Sequence, residues 1–110
     1  MRKIEIERKQ RRKQDREWAI KVRELFNGKC AICPSRNRIN SHHIIPKEIK
    51  ETRHDIKNGI ALCPKHHKFN VFFSAHRNPL WFMKWMAHNR KEQTEYLLEK
   101  IINMENGNNS

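Results

Sequence analysis

The chain has no apolar run long enough to cross a bilayer. Its longest apolar stretches, such as Leu80-Trp-Phe-Met83, fall far short of the roughly 20 residues that a spanning helix needs. The N-terminal Met1-Arg-Lys-Ile-Glu5 likewise lacks the apolar segment of a secretory signal, so a cytoplasmic protein is expected. Cysteine is scarce: three residues cannot all pair within one chain, and a reducing compartment disfavours disulfides, which leaves metal ligation as the better use for Cys30, Cys33 and Cys63. Acidic residues are few as well. Twelve Asp and Glu stand against 24 Lys and Arg, a formal net charge of +12 that favours phosphate-rich partners. With 110 residues, 36% of them hydrophobic, the chain can build one modest core, and a structural metal would help to stabilise it. No internal repeat and no long linker argues for a second domain. The expected organisation is a basic, frayed helical extension over residues 1–16, one domain over 17–105 and a disordered tail over 106–110.

Within that frame, residues 1–16 have helix propensity but no stripe to bury. From Trp18 the pattern changes, and Trp18, Val22, Leu25 and Phe26 mark one face of an amphipathic helix that Asn27-Gly28 stops. The segment Arg38–Ile45 has a strand-compatible end closed by Pro46, and a second short strand is expected at Gly59-Ile-Ala-Leu62. A helix is expected from Pro64 to about Phe73. Asn78-Pro79 reads as an N-cap with proline at the first helical position, followed by a buried face of Leu80, Trp81, Met83 or Lys84, and Trp85. Asn89-Arg-Lys-Glu92 reads as a capping-box restart into a last helix carrying Leu97, Leu98, Ile101 and Ile102.

Cysteine and histidine are concentrated at the spacing metal ions require. Structural zinc takes four thiolate or imidazole ligands, and two short knuckles, Cys30-x-x-Cys33 and Cys63-x-x-His66, supply them in pairs. His67 is adjacent and is an alternative fourth ligand, although the repeated two-residue gap favours His66. His54 and His88 read as ordinary exposed histidines.

The order Cys30-x-x-Cys33, His42-His43-Ile44-Ile45-Pro46, Asn58-Gly-Ile-Ala-Leu-Cys63 and His66-His67 resembles the HNH endonucleases, and the segment Ser74-Ala-His-x-x-Pro79 with Phe82-x-x-Trp85 is similar to small phage-encoded members. The resemblance covers roughly residues 28–86. It implies an α+β fold, a ββα-metal finger stabilised by a Cys3His zinc site and flanked by N- and C-terminal helices. It further implies a catalytic divalent cation, Mg2+, Mn2+, Ni2+ or Zn2+, held by His42 and His67. His43 would be the general base, and Asn58 would pin the loop and orient it. Many members have Cys where this chain has His66, and Asp where it has His42.

The implied activity is hydrolysis of DNA phosphodiester bonds, nicking one strand at a time, in the host cytoplasm if the chain is phage-encoded. Lys65, Lys68 and Arg77 are candidates for positioning the DNA strand, and Arg11 and Arg12, in the basic stretch Arg8–Lys13, for tracking its phosphates. His76 is a candidate for a phosphate contact or for completing the metal shell. Trp81, Phe82 and Trp85 read as core packing. The rival expectation is a non-catalytic zinc-knuckle protein that binds DNA as an accessory to phage packaging or repair proteins.

Overall fold

In a computed structural model, which describes residues 2–108, the chain falls into two units, Met1–Pro64 and Lys65–Ser110. Unit one begins with a single helix, α1 (Lys3–Leu25). The basic extension and the amphipathic segment from Trp18 are one continuous helix. No glycine or proline precedes Gly28, and the intervening Arg, Lys, Glu and Gln are all good helix formers, so nothing interrupts propagation. The helix stops where predicted. Asn27 and Gly28 adopt left-handed backbone conformations, φ 57° and 68°, and the Gly28 amide turns back to the Arg23 carbonyl at 2.8 Å. Trp18 and Val22 are buried, whereas Leu25, expected on the same face, is exposed because it lies in the last turn, where the chain departs.

The strands β1 (Asn40–His43) and β2 (Gly59–Leu62) form a two-stranded antiparallel sheet in which His42 lies opposite Ile60 and His43 opposite Gly59. All of β2 is buried. α1 packs against both strands, and the Ser41 hydroxyl donates to the Ala19 carbonyl at 2.6 Å. Gly59 is required by close approach: a Cβ there would lie 2.8 Å from the Trp18 ring and closer still to Val22. The loop between the strands is folded around Asn58, which is fully buried at the end of a short 3-10 turn (Ile56–Asn58).

In unit two the helix expected from Pro64 to about Phe73 is instead one π-helical turn, Lys65–Phe69. Asn70 ends it, because its side-chain oxygen accepts from the amides of Phe72 and Phe73 at 2.9 and 2.8 Å and offers the backbone an alternative to helix. The helices α2 (Pro79–Asn89) and α3 (Lys91–Asn108) follow, with Asn78 capping the Trp81 amide as predicted. The buried residues of α2 are Phe82 and Met86; Leu80 and Met83 are exposed and Trp81 and Trp85 half-buried, contrary to the expected face. Residues 80–86 are apolar at every position but one, so periodicity there does not single out a face. Leu97 is buried on α3, while Leu98 and Ile102 are exposed. α3 continues through residues 106–108, part of the expected tail; Asn109 and Ser110 lie outside the described residues. Among the described residues no helix is long and apolar enough to cross a membrane.

Candidate metal centres and a constrained histidine

The first knuckle is built by backbone hydrogen bonds that turn Cys30-Ala-Ile-Cys33 tightly. The Cys30 amide donates to the Ser35 carbonyl at 2.9 Å and the Ala31 amide to the Ala61 carbonyl at 2.8 Å, which ties the knuckle to β2 just before Cys63. None of the three cysteines forms a disulfide. The Sγ atoms of Cys33 and Cys63 lie 3.7 Å apart. Two thiolates sharing one tetrahedral zinc at about 2.3 Å stand roughly 3.8 Å apart, so this spacing fits a shared ion. Burial opposes ionisation of Cys30, but amides of Cys63, Ile32 and Cys33 directed at its sulfur outweigh that effect and lower its pKa. A sulfur surrounded by N–H donors is prepared to be a thiolate. The ligand atoms of Cys30, Cys33, Cys63 and His66 all lie within 4.8 Å of one another, a Cys3His group able to hold zinc. Burial lowers the pKa of His66, assisted by the charge of Lys65, which keeps its ligating lone pair available.

In unit two, His67 and His76 form a second group of ligand-type atoms, within 4.8 Å of each other. His76 reaches it through the loop after the π turn. Amides of Ala75 and His76 donate to the carbonyls of His66 and His67, and the buried Ser74 hydroxyl accepts from the Arg77 amide, so the segment folds back along the turn. The Nε2 atoms of His67 and His76 are 3.0 Å apart. Two imidazoles on one ion at about 2.0–2.1 Å stand roughly 2.9 Å apart at a right angle and 3.3 Å apart in a tetrahedron. The observed spacing is that of a hydrogen bond between the two rings and also lies within this range. Burial pushes the His67 pKa down to about 4, with His76 and Lys68 adding to the shift. His67 is therefore neutral at physiological pH, as a ligand must be.

His43 ends β1, and its side chain is held by two contacts. Its imidazole lies flat on the indole of Trp18, with centroids 3.8 Å apart and planes inclined by 7°. Its Nε2 lies 2.9 Å from the Arg53 carbonyl. A carbonyl only accepts, so Nε2 carries the proton and, in the neutral ring, Nδ1 carries the lone pair. Burial holds the His43 pKa below its ordinary value, opposed by the carbonyl and by Asp15. Ser41 and His43 both engage α1, so His42 between them takes the opposite face of the strand.

Asn58 pins the loop, though not by holding His43 directly. Its Oδ1 accepts from the Ile45 amide at 2.6 Å, and its Nδ2 donates to the carbonyls of Ile45 and Thr52 at 2.9 and 3.2 Å. Sequence reasoning missed a second anchor. Arg53 forms a two-pronged ion pair with Asp15 of α1, Nε to Oδ1 at 2.9 Å and Nη2 to Oδ2 at 2.8 Å, and His54 Nε2 lies 2.7 Å from Oδ1. His54 is thus half-buried and engaged, not an ordinary exposed histidine. The available signal was spacing: Asp15 stands three residues before Trp18 on the helical stripe that continues to Val22.

Lys65, Lys68, Arg77 and His76 are exposed in unit two, and Arg11 and Arg12 are exposed on α1. His88 is exposed on α2. The chain matches no protein-family model, no curated protein and no solved structure.

Proposed function

We propose that the protein is a metal-dependent endonuclease of the HNH type, with a ββα-metal finger at its centre, that hydrolyses DNA phosphodiester bonds. The observation that carries this reading is the coincidence, within one chain, of two distinct ligand sets, a thiolate-rich Cys3His group suited to structural zinc and the imidazoles of His67 and His76, which in this reading act with His42, together with a histidine of defined tautomer at position 43. A zinc-knuckle binding module has use for the first set alone.

In this reading the second group holds a divalent cation, which supplies Lewis-acid polarisation of the scissile phosphate and stabilises charge on the departing oxygen. His43 is the general base. Its Nδ1 takes a proton from water, the water oxygen attacks phosphorus, and the bond to the 3′ oxygen breaks. The departing oxygen takes a proton from solvent, leaving 5′-phosphate and 3′-hydroxyl ends. β1 stops at His43, so a phosphate at the end of the strand can meet both His43 and the ligand ring beside it. The +12 charge, with Lys65, Lys68 and Arg77 near the ligands in sequence, attracts the DNA backbone. Many imidazole ligands favour transition metals over Mg2+.

The test is nicking of supercoiled plasmid with Mg2+, Mn2+, Ni2+ or Zn2+ against a chelator control, for wild type and His43→Ala. Cleavage is expected only with added metal, and the variant is expected to keep its zinc and fold but lose cleavage. No cutting with any metal, with DNA binding retained, would leave the accessory DNA-binding protein as the function.

A further inference from the structure

The extension that precedes the knuckles does more than add charge. α1 supplies two side chains to the support of His43. Trp18 covers one face of the ring, and its own Nε1–H donates to the Asp55 carbonyl at 2.8 Å, which fixes the indole to the far end of the loop. One turn earlier, Asp15 grips Arg53 with both carboxylate oxygens. The Arg53 side chain also reaches the Lys47 carbonyl at 3.3 Å, so residue 53 is tied both to α1 and to the start of the loop while its backbone carbonyl faces His43 Nε2.

We propose that Asp15 and Trp18 of α1 are positioning residues for His43: Trp18 sets the plane of the ring, and Asp15, through Arg53, holds the carbonyl that keeps the proton on Nε2 and the lone pair on Nδ1. The inference rests on the assignment of His43 as general base and adds a second support, independent of Asn58. The ion pair contributes to stability, its Arg53 and Asp15 side chains being 19% and 32% exposed, and it does more than that. What its two-pronged geometry does secure is the orientation of one peptide group. Without Asp15 the Arg53 peptide loses its anchor to α1, and the imidazole can rest in either tautomer.

Two readouts on the full-length, zinc-loaded protein test this. In Asp15→Ala, kcat for plasmid nicking is expected to fall between roughly 10- and 100-fold with KM unchanged, as for a misplaced catalytic group. Arg53→Ala should do the same, and the double variant should be no worse than either single one, because both act through one carbonyl. Independently of cleavage, 15N NMR of the His43 ring at alkaline pH should show a single Nε2–H tautomer in the wild type and a mixture in Asp15→Ala. A KM increase with unchanged kcat, or additive losses in the double variant, would overturn the proposal, as would an unaltered tautomer in Asp15→Ala. If the wild type cuts no DNA but the tautomer shift is seen, the nuclease assignment fails and the positioning of His43 by α1 stands.

Discussion

The imidazole of His43 rests on the indole of Trp18 at a centroid distance of 3.8 Å and an angle of 7°. A residue at the end of a strand is thereby held by a residue in the middle of the N-terminal helix, 25 positions earlier in the chain. Trp18 is also 4% exposed, so one side chain serves both the core and the histidine. Trp18→Ala is expected to cost about 3–5 kcal/mol through loss of buried volume. Trp18→Phe keeps a flat apolar face but loses the bond to the Asp55 carbonyl, and should cost less, with the missing hydrogen bond contributing about 1 kcal/mol. Urea denaturation of the three proteins checks the order.

Asp15 makes stability depend on pH. The hydrogen bonds from Arg53, more than any other influence, hold its carboxyl well below the usual carboxylate range. A depressed folded-state pKa stabilises the fold above the unfolded value of about 3.9, and that contribution fades as pH falls through the folded value. Asp15→Asn removes it. The stability gap between wild type and Asp15→Asn should be full near neutral pH and close progressively in acid, as measured by denaturation midpoints across a pH series.

Zinc is expected at one equivalent per chain in the Cys3His group. Structural zinc in small domains contributes apparent binding free energies of about 10–16 kcal/mol, so a strong chelator should unfold unit one along with removing the metal. Cys33→Ser should lose zinc and structure together, whereas His66→Cys, which only exchanges an imidazole for a thiolate, should keep both. Metal analysis paired with circular dichroism distinguishes these outcomes.

Thr52 carries the one buried side-chain oxygen that lacks a hydrogen-bond partner among the described residues. Its backbone carbonyl is used by Asn58, but its hydroxyl is not satisfied. Thr52→Val keeps the β-branched shape and removes the unpaired hydroxyl. Stability should be unchanged or rise by up to about 1 kcal/mol, whereas Asn58→Ala, which strands the Ile45 amide and carbonyl, should lose about 2–4 kcal/mol. Thermal melts of both variants give the comparison.

Local chemistry made much of the molecule legible without coordinates. Asn27-Gly28 stops α1 because only residues tolerant of positive φ fit there, and Asn78-Pro79 starts α2 because one caps and the other needs no partner for its nitrogen. The knuckle ligands were readable because coordination demands particular side chains at short spacing, a constraint that survives in one dimension. The π turn at Lys65–Phe69 was not readable, since it depends on Asn70 competing for backbone amides against a helix of equal local propensity.

The amino-acid sequence by itself determined which residues are chemically equipped: the cysteines and histidines able to ligate, His43 and Asn58, and a charge that suits polyanions. The tertiary structure alone decided which of them meet, and how. Asp15 looked like one charge among many in a solvated helix, and His54 like an ordinary surface histidine; the two became partners only when α1 packed on the hairpin. The tautomer of His43 was likewise settled by a backbone carbonyl ten residues along the chain. A peptide group has no sequence signature, and its direction is set by the fold around it.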